Sequence, residues 1–196
     1  MKPILVTIIL VALCLIFGSE GSYFSWKQCS STADTALQVG DLSFAPDPIK
    51  LNDHVTVDLG SEVTRNVTYP LTLTLTINKV MFWGWKMRIP CLSLLSGGLP
   101  IGSCEYDVCS AMEHLETTYG CPSEFKSNGL PCRCPFASAG SSYNTASTEP
   151  VRLFLDTTSL PSIMTPFLNG RYHIIAEITD GNSNKVMCVE YKIQIG

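Results

Sequence analysis

The residues of this chain best suited to covalent chemistry are its nine cysteines, six of which fall within residues 91–134. Cysteine thiols attack substrates, bind zinc or pair as disulfides. The chain has no reactive Cys-x-x-Cys pair, and the Cys132-Arg133-Cys134 spacing suits two separate disulfides. Which use applies depends on the compartment, because disulfides form and persist in exported proteins.

The first 21 residues predict export. Lys2 precedes an apolar run over residues 4–17, and Ser19 and Gly21 suit the −3 and −1 positions of a cleavage site, which is the layout of a secretory signal peptide. The alternative is a membrane anchor, which needs roughly 18–20 apolar residues, more than this run contains. Removal of residues 1–21 takes Cys14 away and leaves an even number of cysteines, which implies disulfides rather than zinc. Their spacing alone leaves the pairing open.

Carboxylates and histidines predict no active site. Glu105 with Asp107, and Glu113 with Glu116, resemble paired catalytic carboxylates, but we interpret them as solvated faces of a short helix. The three histidines lie outside any nucleophile-elbow or zinc-binding signature. We therefore expect a protein that is not an enzyme, with no catalytic residue, no metal and no cofactor.

Composition narrows the class of partner. The net charge is −4 and no basic stripe is present, which argues against nucleic acid as a partner. Charged residues make up 15% of the chain and apolar residues 45%. Such a low charge content suggests that part of the apolar surface contacts something other than protein core. Residues 22–196 have the size of a single domain.

Alternation of apolar and polar residues predicts an antiparallel β-sheet fold, a sandwich or barrel. The clearest apolar rows are Leu71/Leu73/Leu75/Ile77, Val55/Val57/Leu59, Tyr172/Ile174/Ala176/Ile178 and Met187/Val189/Tyr191/Ile193/Ile195. Cys188 falls on the polar side of its strand, where it could be tied to a distant segment. Residues 151–155 and, more weakly, 37–44 are further strands. One helix is predicted, over residues 107–117, and residues 137–148 are interpreted as a mobile loop.

Two apolar segments are broken by glycine or proline and fit neither period: residues 81–85 (MFWGW) and 160–168 (LPSIMTPFL). Each residue taken alone could belong to the core. Together they predict exposed apolar loops, which mark lipid, membrane or protein contacts, and tryptophan favours a membrane interface. The residues expected at a lipid or membrane contact are Phe82, Trp83, Trp85, Ile163, Met164, Phe167 and Leu168.

Asn66-Val67-Thr68 is the only glycosylation sequon of the chain. In an exported protein we expect Asn66 to carry a glycan and therefore to lie on the surface. The alternative is an unmodified loop asparagine.

Seven short segments, in this order, resemble the ganglioside activator family, the lysosomal sphingolipid activators that serve beta-hexosaminidase A. They are FSW-x-x-C at 24–29, APDPI at 45–49, IPC at 89–91, IGSC at 101–104, GLPC-x-CPF at 129–136, LPS at 160–162 and G-x-Y-x-I at 170–174. The GLPC-x-CPF block with its preceding cysteines is the specific part. The match spans nearly all of residues 22–196.

The resemblance implies a β-cup, an antiparallel sheet arrangement that encloses one large apolar cavity for lipid tails. It also implies a function without catalysis: a glycosphingolipid, such as a ganglioside, is extracted from a membrane surface and presented to a beta-hexosaminidase A-like glycosidase. The location would be the secretory pathway, ending in the lysosome or outside the cell. The disulfide pairs that the resemblance implies are Cys29–Cys188, Cys91–Cys104, Cys109–Cys134 and Cys121–Cys132.

Departures from the family keep other functions open. The loop between Cys91 and Cys104 and the segment after Leu160-Pro161-Ser162 are longer than in the vertebrate proteins. Both belong to the expected membrane-contact and rim loops. The resemblance therefore implies the β-cup more firmly than it implies the particular ganglioside or glycosidase. The alternatives are a secreted general lipid carrier without a glycosidase partner, a secreted esterase or phospholipase, and a domain that binds a protein through its apolar loops.

Overall fold

The computed structural model of the chain describes residues 22–29, 31, 34–92, 100–121, 123–135, 139–144, 151–154 and 168–196. Within these residues ten strands form two antiparallel sheets, and two helices lie between the sixth and seventh strands. The strands are β1 (Ser25–Gln28), β2 (Leu37–Ala45), β3 (His54–Val63), β4 (Thr72–Val80), β5 (Lys86–Arg88), β6 (Glu105–Asp107), β7 (Ser142–Asn144), β8 (Val151–Phe154), β9 (Gly170–Thr179) and β10 (Lys185–Ile195). The helices are α1 (Val108–Tyr119) and α2 (Ser123–Ser127).

The larger sheet has six strands in the order β1-β10-β9-β4-β5, with β6 also paired to β4. The smaller sheet has four strands in the order β2-β3-β7, with β8 also paired to β3. The long alternating segments of the sequence form the long strands β3, β4, β9 and β10, as their period of two requires. The predicted antiparallel all-β fold is confirmed.

Aromatic side chains connect the two sheets. Phe44 of β2 stacks on Tyr191 of β10, with ring centroids 6.0 Å apart. Phe24, just before β1, meets Phe44 edge-on at 5.1 Å. Because β2 and β10 belong to different sheets, these contacts identify the faces that look toward each other, and the apolar row that contains Tyr191 lies inside.

The cysteine-rich segment carries the predicted helix and a second, shorter one. Helix α1 begins after Asp107, whose carboxylate accepts a hydrogen bond of 2.7 Å from the Ser110 backbone N–H. This bond lowers the pKa of Asp107 and satisfies one of the donors left open at a helix start. The helix ends at Gly120, whose φ of +79° suits glycine. The sequence does not predict α2, which is a single short turn between two cysteines.

Four disulfides fasten the ends of the fold, in the same four pairs that the resemblance implies: Cys29–Cys188, Cys91–Cys104, Cys109–Cys134 and Cys121–Cys132. The first joins β10 to the end of β1, across a sequence separation of 159. In the loop-entropy model, a link across so long a loop stabilises the fold by on the order of 5 kcal/mol. Cys188 thus lies on the non-apolar side of its strand and is tied to a distant segment, as its position in the sequence suggests.

One loop prediction is corrected by the structure. Within residues 137–148, interpreted from the sequence as a mobile loop, Ser142–Asn144 forms the strand β7. It pairs with β3, where Gly60 is registered with Asn144. A three-residue strand at the edge of a sheet is held by its neighbour, and so its own residues need no apolar alternation.

Candidate lipid-binding site

The inner face of the six-stranded sheet is built from apolar side chains that line up across strands. Two neighbouring rows are Ile77–Ile174–Tyr191 and Leu75–Ala176–Val189, which run from β4 through β9 to β10. Each strand contributes alternate residues to this face, because successive side chains on a strand point to opposite sides. The result is a continuous aliphatic surface directed at the four-stranded sheet.

This inner face is only partly covered by packing. Ile174 and Ala176, on the central strand β9, are 7% and 8% exposed. Leu75 and Ile77, their neighbours on β4, keep an intermediate exposure. An inward-facing side chain of a two-sheet fold stays accessible only where the opposite sheet does not reach it, because native cores are otherwise close-packed. The described part of the chain therefore leaves a space in front of β4.

Tyr191, on the same inner face, is largely withdrawn from water. Burial raises the pKa of the Tyr191 phenol to about 12, because apolar surroundings disfavour the charged phenolate. Part of the Tyr191 surface nevertheless stays accessible. Tyr191 therefore lies in apolar surroundings, with Phe44 of the opposite sheet stacked on it.

Buried apolar residues of the described part of the chain include two packed clusters. Among the described residues, one cluster consists of Ala36, Leu71 and Val186. The other consists of Ile89, Tyr172 and Ile174. Half-buried side chains of the inner face, Ile77 and Tyr191 among them, pack against the second cluster.

The turn between β4 and β5 exposes the largest apolar side chains of the described chain. Phe82, Trp83 and Trp85 are 89%, 98% and 79% exposed. Met81 and Met87 flank them and are also exposed. Monomeric proteins rarely expose a contiguous group of this size unless it contacts a partner or a membrane. We call residues 81–85 the aromatic turn.

The backbone of the aromatic turn explains why its rings point outward. Trp83 and Gly84 have φ values of +68° and +80°, so the chain reverses in the left-handed region. The Met81 N–H donates to the Trp85 carbonyl at 2.6 Å, and the Gly84 N–H donates to the Met81 carbonyl at 3.1 Å. The turn thus satisfies its own polar groups, and its side chains are left directed away from the sheet.

A cleft of about 690 Å³ lies at the base of the aromatic turn, lined by residues 79–84 and 169–171. Strand pairing creates it, because Lys79 is registered with Tyr172 and Val80 with Arg171. Lys79 belongs to the inward-facing positions of β4, two residues beyond Ile77. The cleft therefore lies where the last residues of β4 meet the start of β9, beside the exposed turn.

A buried polar network lies behind the aromatic turn, on the outer face of the same sheet. His173 is 5% exposed, and its Nε2 is 2.7 Å from a Glu190 carboxylate oxygen. Its Nδ1 is 3.3 Å from the Lys86 ammonium, which follows the turn directly. A carboxylate only accepts and an ammonium only donates, so these partners assign the proton to Nε2. Glu190 also pairs with Lys27 at 3.2 Å, and the hydrogen bond from His173 lowers its pKa.

The predicted contact residues fall into three groups. Phe82, Trp83 and Trp85 lie together on the aromatic turn, and the alternative that they are core residues is wrong. Leu168 is partly buried and immediately precedes the segment 169–171 that lines the cleft. Ile163, Met164 and Phe167 lie outside the described residues.

Sequence reasoning missed Lys79 and Arg171 as members of the site. They are separated by more than ninety positions, and neither belongs to a motif. Only the register of β4 against β9 brings them to one cleft. A signal existed in the alternation of β4, where Lys79 interrupts an otherwise apolar inner row.

The described residues contain no group of three or more His, Cys, Asp or Glu side chains that could hold a metal ion. In the same part of the chain, no helix is both long and apolar enough to cross a membrane.

Comparison with known proteins identifies relatives along the whole chain. The chain is 29% identical to the Ganglioside GM2 activator of Macaca fascicularis over 97% of its own length and 96% of that protein. It is 34% identical to the Ganglioside GM2 activator of Mus musculus over 58% of its length and 55% of that protein. The resemblance inferred from the sequence segments is thereby confirmed.

Two solved structures are also similar. One is a Niemann-Pick type C2 protein from the Japanese carpenter ant, with a TM-score of 0.43 and 13% identity over 88% of this chain and 99% of that one. The other is chicken MD-1 complexed with lipid IVa, with a TM-score of 0.40 and 13% identity over 90% and 93% of the two chains. A sequence profile of the ML domain matches residues 23–195, and the chain therefore belongs to the ML-domain family.

Proposed function

We propose that this chain is a non-catalytic glycosphingolipid-binding and transfer protein that extracts gangliosides from membranes and presents them to a beta-hexosaminidase A-like glycosidase. The names of the two curated relatives support the ganglioside and the activator role. The observation that carries the proposal is the accessible apolar inner face around Leu75, Ile77 and Tyr191, on the same sheet that carries the exposed aromatic turn.

The energetics of lipid extraction explain why such a surface is needed. Moving a ceramide tail from the bilayer into water costs roughly 25 cal/mol of free energy for each Å² of apolar surface exposed. An aliphatic interior replaces the bilayer as the apolar environment and removes most of this cost. The exposed rings of Phe82, Trp83 and Trp85 would hold the protein at the membrane interface while the lipid tails move from the bilayer into the protein, because tryptophan favours the interface.

The route of the protein is part of the proposal. Residues 1–21 would direct the chain into the secretory pathway as a signal peptide, and residues 22–196 would form the lipid-binding domain that reaches the lysosome or the extracellular space. Asn66 would carry the glycan. Its exposed side chain supports this, since the 3.0 Å bond from the Ala139 N–H uses Oδ1, whereas a glycan attaches to the amide nitrogen.

A general lipid carrier without a glycosidase partner is the second candidate. The aliphatic character of the inner face favours it, because rows such as Leu75–Ala176–Val189 offer no polar group that distinguishes one headgroup from another. The two candidate functions share the same lipid-binding space and differ only in whether a glycosidase is the partner.

The deciding experiment is transfer of a radiolabelled ganglioside between vesicles at acidic pH, with and without beta-hexosaminidase A. We expect transfer and an increased release of the terminal N-acetylgalactosamine. Transfer without increased release would favour the general carrier. Failure to transfer any lipid tested would contradict both candidates.

A substitution that fills part of the inner face with a larger side chain tests where the lipid binds. Leu75→Trp adds apolar volume on the inner face of β4, so we expect less bound lipid per protein without a loss of folding stability. Thr76→Trp makes the corresponding change at the next residue, which points to the outer face, and should leave lipid binding unchanged. Equal effects of the two variants would place the lipid elsewhere.

A further inference from the structure

A polar contact joins the aromatic turn to the central strand of its sheet. The Lys86 ammonium, one residue beyond the turn, lies 3.3 Å from Nδ1 of His173 on β9. The rings of the turn are largely exposed, and among the described strands β5 pairs only with β4. Since so few other contacts fix the turn, the bond from Lys86 has a large share in holding it against the sheet.

The other end of β5 is anchored. The Ile89 N–H donates to the Ile77 carbonyl at 2.8 Å, and the Ile89 side chain is buried in a packed cluster. Two residues later, Cys91 is bound to Cys104. Movement of the turn would therefore pivot before Ile89 and be confined to the turn and β5.

The protonation state of His173 decides whether the contact with Lys86 exists. Its Nε2 donates to the Glu190 carboxylate at 2.7 Å, so the unprotonated Nδ1 accepts from Lys86. Histidine is the side chain whose charge ordinarily changes between about pH 5 and 8. A second ring proton makes Nδ1 a donor and places an imidazolium beside an ammonium. Lys86 must then move away.

The charged groups around His173 make Lys86 the partner that is lost. The hydrogen bond from His173 lowers the pKa of Glu190, so this carboxylate stays ionised while a histidine titrates and supports the imidazolium. The cations on the same face come from β1, β5, β9 and β10, and they are Lys27, Lys86, Arg88, Arg171 and Lys192. Lys27 is paired with Glu190 at 3.2 Å. From β4, the uncharged Asn78 is registered with His173 and carries an amide oxygen on this face.

We propose that His173 is a positioning residue that holds the aromatic turn against the sheet through Lys86 at neutral pH and releases it when the ring takes up a second proton. Release frees the exposed rings to reorient toward a membrane as the surroundings become acidic. The switch itself needs no lipid, whereas its use in membrane contact rests on the proposed function.

Amide hydrogen exchange of the full chain, measured by NMR at about pH 7.5 and about pH 5, tests the release. The Met81 N–H closes the turn on the Trp85 carbonyl at 2.6 Å. Its protection factor, which corrects for the effect of pH on the exchange chemistry, should fall about tenfold to 100-fold on acidification, the range of a hydrogen bond to a charged group. The Ile89 N–H, beyond the pivot, should keep its protection. Unchanged protection of Met81, or an equal loss at Ile89, would overturn the proposal.

Two substitutions should abolish this pH dependence in opposite ways. Lys86→Met removes the ammonium, so the Met81 amide should be weakly protected at both pH values. His173→Asn places an amide oxygen near the position of Nδ1 and does not titrate, so the same amide should stay protected at both. Arg88→Met is the matched control, because Arg88 is the other cation of β5 and lies two residues along on the same side of the strand. A wild-type pH dependence in Lys86→Met, or its loss in Arg88→Met, would contradict the role of the Lys86 contact.

Sedimentation with neutral phosphatidylcholine vesicles separates the switch from the proposed function. Uncharged vesicles exclude a gain in binding that comes from attraction between opposite charges. Binding of the wild type should rise about tenfold between about pH 7.5 and about pH 5, and Lys86→Met should bind at the higher level at both. A wild-type chain that releases its turn but binds no vesicles at either pH would support the switch and contradict the membrane contact of the proposed function.

Discussion

The two hairpins of the six-stranded sheet use their turns in opposite ways. In the β9–β10 turn, the Asp180 carboxylate accepts hydrogen bonds from the Asn182 and Asn184 N–H groups, both at 2.9 Å. In the β4–β5 turn the side chains are aromatic and exposed. Each turn contains a non-glycine residue with positive φ, Ser183 at +63° and Trp83 at +68°. Both turns reverse the chain in the left-handed region, but polar side chains brace one of them and exposed aromatic side chains occupy the other.

The strands that carry these turns differ in the same direction. β10 is tied to the end of β1 by the disulfide Cys29–Cys188, and much of β9 is buried. β5 has three residues, all exposed, and pairs only with β4 among the described strands. Stability is therefore concentrated in the β9–β10 hairpin, while the β4–β5 hairpin presents apolar surface that folding does not require.

The largest effect should come from removing the rings of the aromatic turn. The triple variant Phe82→Ser, Trp83→Ser and Trp85→Ser should lower vesicle binding about 1000-fold or more, since each inserted ring contributes about 2 kcal/mol. Sedimentation with vesicles measures this change, and the free energy of unfolding should stay within about 1 kcal/mol of the wild type because the rings are exposed.

Leu115→Ser is the control for the aromatic turn. Leu115 is 46% exposed on α1, so it is an apolar surface residue of a different region. Its replacement should leave vesicle binding unchanged. If the control loses as much binding as the triple variant, the distinction between the two hairpins is not what determines membrane contact.

Removing the Cys29–Cys188 link should give the next largest effect, on stability instead of membrane binding. The double variant Cys29→Ala and Cys188→Ala should lower the free energy of unfolding by on the order of 5 kcal/mol. Denaturant titration measures the loss. The matched change at Cys91 and Cys104, which closes a loop with a sequence separation of only 13, should cost about 3 kcal/mol. Equal costs would show that loop length does not govern these links.

Much of this fold could be predicted from the sequence because its long strands alternate strictly. The rows ending in Ile77 and Ile178 indicate a period of two, and both lie on the inner face as that pattern requires. The helix after Asp107 could be predicted from its apolar spacing. The strand β7 could not, because its three residues are held by pairing with β3 and not by a pattern of their own.

The candidate site was predictable only in its apolar half. The rings of residues 81–85 are conspicuous in sequence because glycine interrupts them, and their exposure follows from a turn that bonds to its own backbone. The charged part of the cleft depends on Lys79 and Arg171, which line it because of how β4 is registered with β9. Strand register arises from long-range pairing, which no local pattern around Arg171 records.

One substitution in each turn should change the free energy of unfolding by a smaller amount, and the two changes should have opposite signs. Asp180→Ala removes the acceptor of three hydrogen bonds in the β9–β10 turn and should lower the free energy of unfolding by about 1–2 kcal/mol. Trp83→Asn should raise it by about 1 kcal/mol, because asparagine tolerates the left-handed conformation better than a bulky residue does. Thermal unfolding of the two variants measures both signs, and a loss in each would contradict the view that Trp83 is retained for contact and not for folding.

The smallest effect concerns the acid dependence of the buried network behind the aromatic turn. The hydrogen bond from His173, helped by Lys27, lowers the pKa of Glu190 below its ordinary 4.5. The stabilisation it provides is therefore fully present above pH 4.5 and is lost as the pH falls through the lower folded-state pKa. Glu190→Gln should cost about 1 kcal/mol at neutral pH and flatten the loss of stability below pH 4.5, since glutamine does not titrate. Unfolding titrations from pH 7 to 3 test this, with Glu177→Gln, at the exposed pair with Lys185, as the control. If the Glu190→Gln and wild-type curves stay parallel below pH 4.5, the carboxylate does not stabilise the sheet through its charge.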